Sequence, residues 1–132
     1  MRASISDLRL GGSRTGRWFY ALKPASWPKL VVPALFGQLL GAAENGSLDL
    51  AALGWGFAFT GFGLAYIVLL NDWGDREVDA IKRRMFPDGC SPKTIPDGIL
   101  NGRSVAAAGA FCGAATLVLA AGAESALGRS FA

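Results

Sequence analysis

The residues best suited to chemistry form an acidic motif, NDWGDREVD, at positions 71–79. On an α-helix, where each residue advances the direction by about 100°, Asp75 lies about 60° and Asp79 about 20° from Asp72. Three carboxylates therefore share one narrow helical face. Glu77 points away from this face and is expected to be an ordinary solvated acid.

Three carboxylates on one face repel one another unless a cation lies among them. Mg²⁺ suits this arrangement, because it binds a few carboxylates and completes its octahedron with water and phosphate oxygens. Asn71 adds a neutral oxygen ligand or a hydrogen-bond donor. An alternative stays open, in which the helix end is solvated by lipid headgroups and Arg76 and Arg83 neutralise Asp72 and Asp79.

A basic triplet, Lys82-Arg83-Arg84, follows the acidic motif and leads into a loop interrupted by Pro and Gly that runs to residue 98. Acids that hold Mg²⁺ beside bases that hold phosphate favour diphosphate binding. The triplet equally suits contact with anionic lipids at a membrane surface, and both roles can coexist.

Three apolar spans must position these residues: 27–43, 48–70 and 104–123. As a helix, the 23 residues of the second span would measure about 35 Å, enough to cross a hydrocarbon core of about 30 Å. The acidic motif begins where this span ends. The sequence therefore predicts an all-α, integral membrane helical bundle, in which the Gly-x-x-x-Gly pairs 37/41 and 109/113 serve close helix packing more than dimerisation.

The basic residues are distributed unevenly between the connections. Six Lys or Arg precede or open the first span, none lies in the connection 44–49, six lie in 71–103, and one follows the third span. By the positive-inside rule, the N-terminus and the acidic motif face the cytoplasm of a multi-pass protein in the cell inner or plasma membrane. The alternative of a cleaved signal peptide would need an unusually long segment before its apolar run.

The composition excludes several classes of function. Only 17% of the residues are charged, against roughly 25% in average soluble domains. The chain has no histidine, which excludes Ser-His-Asp catalysis and His-based zinc sites. Cys90 and Cys112 form no CxxC pair, so no zinc or redox site is predicted. The 132 residues are expected to form one compact unit, without nucleic-acid binding.

The acidic motif resembles the NDxxDxxxD signature of UbiA-type intramembrane prenyltransferases, and its place at the cytoplasmic end of the second span is similar to theirs. The segment LKPASWP at 22–28 resembles the Arg-Pro entry to the family's first helix, with Lys23 in place of the usual Arg. KTIPDG at 93–98 is similar to the R-P-L-x-x-G stretch before the third helix. The resemblance covers about residues 17–123.

The resemblance implies a fold of nine transmembrane helices, three of which lie in this chain. It also implies transfer of a prenyl group from an allylic polyprenyl diphosphate to an aromatic or other lipophilic acceptor, with Mg²⁺ as cofactor. The site residues that it implies are the catalytic and metal-binding Asp72, Asp75 and Asp79, the supporting Asn71, and Arg83 or Lys93 in contact with phosphate. Aromatic residues of the second span would line an apolar pocket that shields the carbocation from water: Phe57, Phe59, Phe62 and Tyr66.

The family's second acidic motif has no counterpart here, since Glu124 is the only acid after Asp97. We therefore expect this chain to be the N-terminal portion of a longer enzyme, with a cytoplasmic tail at 1–16 and a partial transmembrane domain at 17–132. Alone it is not expected to ionise a diphosphate, and the missing C-terminal half is an expected partner.

Two other interpretations stay open. CDP-alcohol phosphotransferases also place aspartates at the cytoplasmic membrane face, although the Asp-Gly and Ala-Arg pairs of their signature have no counterpart in this motif. A non-enzymatic alternative is a small three-helix membrane protein that binds lipid or a partner helix. Changing Asp72 and Asp75 to Asn distinguishes it, since loss of Mg²⁺-dependent diphosphate binding would favour the prenyltransferase.

Overall fold

The computed structural model describes residues 12–87 and 89–127. Within these residues every regular element is helical, which confirms the all-α prediction. The elements in chain order are α1 (Arg14–Leu22), a 3₁₀ turn (Pro24–Ser26), α2 (Pro28–Glu44), α3 (Leu50–Gly74), α4 (Arg76–Met85) and α5 (Gly102–Leu127). Most of the predicted tail at 1–16 and the basic residue after the third span, Arg129, lie outside the described residues.

Two helices, α3 and α5, are long and apolar enough to cross a membrane. The qualifying stretches measure 25 residues in Leu50–Gly74 and 22 residues in Gly102–Ala123, and they cover the second and third predicted spans. α2 corresponds to the first predicted span and has 17 residues, with Pro33 inside. Among the described helices, it is not one of those long and apolar enough to cross a membrane. A crossing by α2 and the nine-helix bundle therefore stay predictions.

Side-chain caps set several helix starts. The Ser13 hydroxyl accepts a hydrogen bond from the Gly16 amide (3.1 Å) and starts α1, a helix that precedes the predicted spans. Asp49 and Asn101 begin α3 and α5 in the same way, by accepting from amides two or three residues ahead. α1 ends at Lys23, whose left-handed backbone (φ 49°, ψ 51°) is uncommon for a residue with a side chain.

Contacts divide the chain into two units, where its length predicted one. The first unit combines the residues up to Pro24 with Ile67–Gly109, and the second combines Ala25–Tyr66 with the residues from Ala110 onward. α3 and α5 contribute residues to both. Among the described residues, the apolar side chains that are at most 1% exposed all belong to the first unit: Ala21, Leu69, Ile99 and Val105.

The second unit packs through aromatic residues and small residues. The Trp55 indole donates a hydrogen bond to the Leu119 carbonyl (3.0 Å), which joins α3 to α5. The Phe62 and Phe111 rings meet edge to face between the same two helices, with centroids 6.3 Å apart. These contacts hold the apolar halves of α3 and α5 together.

The 109/113 glycine pair packs α5 against α3 within the chain, as predicted. In the first unit, a Cβ added at Gly109 would lie 3.5 Å from the Leu69 Cβ, which is an ordinary contact. In the second unit, a Cβ added at Gly113 would lie 2.9 Å from the Tyr66 ring, closer than side chains normally approach. Positions 37 and 41 have no such neighbour within 4 Å among the described residues.

Candidate functional site

The acidic motif spans the end of α3 and the start of α4. Asp72 lies in the last turn of α3 and is buried, Asp75 lies at the junction and is exposed, and Asp79 begins α4 and is half-buried. The Asp75 backbone (φ −83°, ψ 1°) separates the two helices. Hydrogen bonds of 2.8 Å, from the Asp75 amide to the carbonyl of the exposed Asn71 and from the Asp79 amide to the Asp75 carbonyl, continue the helical pattern across this junction.

Asp72 is held by partners from two distant parts of the chain. Its Oδ1 atom forms an ion pair with the Lys23 ammonium group, and its Oδ2 atom accepts a hydrogen bond from the Thr94 hydroxyl (2.5 Å). The Asp72 side chain is 8% exposed, and Thr94 is buried. Because a buried carboxylate is costly unless it is paired and hydrogen-bonded, these two partners account for its burial.

Asp79 is held by Lys93, which belongs to the segment 89–98 after α4, here called the lysine loop. The Lys93 ammonium nitrogen lies 2.9 Å from Asp79 Oδ1, and both side chains are half-buried. This hydrogen bond raises the pKa of Lys93 above its ordinary value and so favours the ammonium form. Asp75 differs, because its exposed carboxylate has no salt-bridge partner within the described residues.

Arg83 binds the lysine loop itself and Pro87 just before it, rather than the aspartates of the motif. Its Nε and Nη2 atoms donate to the two carboxylate oxygens of Asp97, at 3.1 and 2.7 Å. The remaining N–H groups donate to three carbonyls, those of Pro87 (2.8 Å), Cys90 (3.3 Å) and Ser91 (3.0 Å). The hydrogen bonds with Asp97 raise the pKa of Arg83. All five N–H groups of the guanidinium are used inside the chain.

Arg76 also turns away from the aspartates. Its guanidinium donates to the Trp73 carbonyl (2.7 Å) and to the Glu77 carboxylate (3.3 Å), and it lies 4.6 Å from the centre of the Trp73 ring. The alternative in which Arg76 and Arg83 neutralise the motif is therefore not what the structure shows. Two lysines from outside the motif supply the positive charge instead.

The lysine loop is tied to α1 and is also closed by a hydrogen bond within itself. The Tyr20 hydroxyl of α1 donates to the Pro92 carbonyl (2.8 Å), and the Lys93 amide donates to Asp97 Oδ2 (2.7 Å). Burial raises the pKa of the Tyr20 phenol, and the charge of Asp72 adds to the shift. The first unit thus contains a connected set of acids, bases and hydroxyl groups.

A protein-family model matches the part of the chain that contains most of this site. The model of the UbiA prenyltransferase family matches residues 30–129, more than half of the 132 residues. The chain belongs to the UbiA prenyltransferase family. The matched range contains the acidic motif, the lysine loop and α3. No curated protein and no solved structure matches the chain.

Three site residues are missed by reasoning from local spacing: Lys23, Thr94 and Asp97. Lys23 and Thr94 lie in the two segments that resemble the flanking motifs of UbiA proteins, and that resemblance is the signal that could find them. Asp97 lies in the second of these segments, but at one of the positions that the family's stretch leaves open. Its role becomes visible only through its hydrogen bonds.

UbiA prenyltransferases generally use Mg²⁺, and the donor set of this site suits that metal. The carboxylate oxygens are hard ligands of the kind Mg²⁺ prefers, and Asp72 and Asp79 already hold a cation each, in the form of an ammonium group. Among the described residues, no three His, Cys, Asp or Glu side chains converge as a preformed metal cluster. Asp72 and Asp79 are each paired with a different lysine instead.

A cavity of about 490 Å³ lies in the second unit, between α2, α3 and α5. Its lining is mainly apolar and includes Trp55 and Phe59. Of the four aromatic residues predicted to line a substrate pocket, Phe59 is therefore the one found in this cavity. Phe62 instead contacts another ring, and the remaining two, Phe57 and Tyr66, are partly exposed.

Proposed function

We propose that this chain supplies the first metal–diphosphate site of a membrane prenyltransferase. The reaction is the Mg²⁺-dependent transfer of a prenyl group from an allylic polyprenyl diphosphate to an aromatic or other lipophilic acceptor. The observation that carries the proposal is the alternation of carboxylates and ammonium groups at the polar end of an apolar helix. Membership of the UbiA family supports the same reaction class.

The three aspartates are the residues that would hold the metal: Asp72, Asp75 and Asp79. When bound, Mg²⁺ stabilises the negative charge that collects on the diphosphate as the allylic C–O bond breaks. The exposed Asp75 is open to a ligand arriving from solvent, and the buried Asp72 is fixed in place by its hydrogen bond to Thr94. Asn71, exposed one residue before Asp72, adds a neutral polar group beside the metal.

Two lysines supply the positive charge that a diphosphate requires. Lys93 and Lys23 now balance Asp79 and Asp72, so their ammonium groups already lie at the carboxylates that would hold the metal. An ammonium group on a flexible stem binds phosphate oxygens as a point charge and can exchange one anionic partner for another. Both lysines therefore bind the diphosphate in this proposal.

The membrane supplies the environment for the apolar substrates. We propose a multi-pass protein of the plasma membrane with the acidic motif and the N-terminus on the cytoplasmic side, supported by the distribution of Lys and Arg along the sequence. A water-soluble diphosphate headgroup would then meet the aspartates while the prenyl chain lies among apolar helices. The partner that completes a two-motif enzyme is the C-terminal half typical of the family.

Binding of a slowly reacting analogue, farnesyl thiodiphosphate, tests this proposal on the chain in lipid nanodiscs. We expect saturable binding in Mg²⁺ that is abolished by EDTA. Asp79→Asn is expected to weaken it by about 100-fold, because the metal loses a charged ligand. Glu77→Gln is the matched control: it removes the same charge two residues away, from an exposed side chain paired with Arg76.

The outcomes separate the competing functions. Mg²⁺-dependent binding that is sensitive to Asp79→Asn and insensitive to Glu77→Gln supports the prenyltransferase site. A folded, membrane-inserted chain that binds no analogue under either condition contradicts it, and favours a small three-helix membrane protein that binds lipid or a partner helix. Equal loss in both variants would indicate a general charge effect and would also contradict the proposed site.

A further inference from the structure

We propose that Arg83 and Asp97 are a positioning pair that sets the lysine loop against the acidic motif, and that Arg83 does not bind the diphosphate. The pair lies at the base of the loop, with side chains 16% and 7% exposed. Its effect on the position of the loop is independent of any ligand. Its effect on diphosphate binding rests on the function proposed above.

Arg83 is fully used as a hydrogen-bond donor. A guanidinium has five N–H groups, and all five donate to Asp97 or to the carbonyls of Pro87, Cys90 and Ser91. An arginine that grips a phosphate in the usual two-bond manner needs at least two of these groups free. Arg83 has none to spare unless the loop moves.

Asp97 connects Arg83 to Lys93. One carboxylate accepts from the guanidinium of Arg83 and from the backbone amide of Lys93 (2.7 Å). In return, the Asp97 amide donates to the Lys93 carbonyl (3.1 Å), which closes the turn. The backbone at Lys93 is therefore fixed by Asp97, while its ammonium group lies at Asp79.

The residue after Lys93 contacts Asp72, the buried aspartate of the acidic motif. Thr94 follows Lys93 directly, and its hydroxyl donates to Asp72 (2.5 Å). The Leu100 amide donates to the Thr94 carbonyl (3.0 Å), so the backbone is held on this side as well. Asp97 fixes the backbone at Lys93 and Leu100 fixes it at Thr94, so an ammonium group and a hydroxyl group are positioned on two different carboxylates.

The alkylation rate of Cys90 tests whether Arg83 and Asp97 hold the lysine loop in place, and it needs no substrate. Cys90 is half-buried and its carbonyl accepts from Arg83, so opening of the loop exposes its thiol to a maleimide. In a Cys112→Ala background, which leaves one cysteine, we expect Asp97→Asn and Arg83→Gln each to raise the rate by about tenfold or more. Arg84→Gln, a matched loss of charge on an exposed neighbour, is expected to change it less than twofold.

Two further variants separate positioning from phosphate binding. Arg83→Lys keeps the charge but loses the five-donor fork, so we expect it to accelerate alkylation nearly as much as Arg83→Gln. The double variant Arg83→Gln/Asp97→Asn should accelerate alkylation by less than the product of the two single effects, because both single variants remove the Arg83–Asp97 bonds. Asp97→Asn and Arg83→Gln should each also weaken Mg²⁺-dependent binding of farnesyl thiodiphosphate by about 10–100-fold, although Asp97 is not proposed to contact the ligand.

Each result decides one claim. Unchanged Cys90 alkylation in Asp97→Asn would overturn the positioning pair. Normal analogue binding in Arg83→Lys with loss in Arg83→Gln would make Arg83 a phosphate contact, because its charge alone would then suffice. Accelerated alkylation with non-additive variants supports the pair even if the wild-type chain binds no analogue, in which case the proposed function fails separately. Normal analogue binding in Asp97→Asn despite accelerated alkylation would overturn the link between the loop and the site.

Discussion

The two units of this chain are stabilised by different kinds of contact. In the first unit, charged side chains are buried and each has a named partner: Lys23 and Thr94 for Asp72, and Arg83 for Asp97. The three buried polar or charged residues within the described part of the chain, Asp72, Thr94 and Asp97, all belong to it. The second unit relies on aromatic contacts, small residues and an apolar cavity instead.

This difference shows where a ligand can act. Buried ion pairs add little net stability over apolar packing, because the desolvation of both charges offsets their attraction. They do provide groups that can exchange one charged partner for another, which apolar contacts cannot. The proposed chemistry therefore lies in the first unit, and the apolar contacts of the second unit suit packing in a membrane.

The largest expected effect comes from removing the buried charge of Asp72. Asp72→Asn keeps a carbonyl oxygen for the Thr94 hydroxyl but removes the charge that a metal needs, so Mg²⁺-dependent analogue binding should weaken by about 100-fold or more. Isothermal titration calorimetry in nanodiscs measures this. Asp49→Asn, the same change in the second unit, should leave the dissociation constant within about twofold, and an equal loss there would remove the distinction between the units.

A smaller effect compares one threonine from each unit. Thr94→Val removes a hydrogen bond to a buried, charged carboxylate and should lower the free energy of unfolding by about 1.5–3 kcal/mol. Thr116→Val removes only a bond from its hydroxyl to the Cys112 carbonyl one turn back in α5, and the change should stay within about 0.5 kcal/mol. Reversible unfolding in mixed micelles distinguishes these values, and equal losses would contradict the comparison.

Two glycines on α5 test packing in each unit. Gly113→Ala places a Cβ 2.9 Å from the Tyr66 ring, so the ring must shift, and we expect a loss of about 1 kcal/mol in the second unit. Gly109→Ala makes an ordinary 3.5 Å contact and gains helix propensity, so stability should stay equal or rise by up to about 1 kcal/mol. The same unfolding assay applies, and a reversed order would show that α5 packs differently.

The smallest effect concerns the pH dependence of the first unit. Burial, and then the charge of Asp72, raises the pKa of Tyr20 above the unfolded value of 10.0, so the unfolded chain loses its phenol proton first. This contribution to stability is fully present below about pH 10 and is lost as the pH rises through the folded pKa. The thermal stability of the Tyr20→Phe variant should therefore decline less steeply above pH 10 than that of the wild-type chain. Tyr66→Phe is the control.

The sequence was informative about helices and less so about partners. The long apolar runs predicted α3 and α5 because the period and length of a membrane-crossing helix are local properties. α1 was outside the predicted spans because it is short and amphipathic, and its start depends on the Ser13 cap. The extent of α2 was predicted closely, whereas its crossing of a membrane still awaits a test.

The position of the acidic motif at the end of a long apolar helix was predicted from the sequence, but the partners of its aspartates were not. The rule that residues three or four apart interact suggested Arg76 and Arg83, yet the observed partners of Asp72 and Asp79 lie 49 and 14 residues away. Such contacts depend on how the chain folds back on itself, which local spacing does not encode. The break at Asp75 likewise leaves one aspartate exposed where a continuous helix predicted a common face.

Pulsed electron paramagnetic resonance tests most directly whether the aspartates of the acidic motif hold a metal–diphosphate. Mn²⁺ replaces Mg²⁺, inorganic diphosphate is the ligand, and the chain carries ¹³C in its aspartate carboxyl groups. We expect one Mn²⁺ to couple to both ³¹P and ¹³C nuclei. We also expect that combining Asp72→Asn, Asp75→Asn and Asp79→Asn removes the ¹³C coupling, while Asp49→Asn retains it. Mn²⁺ that couples to ³¹P alone in the wild-type chain would contradict the claim that these aspartates hold a metal–diphosphate.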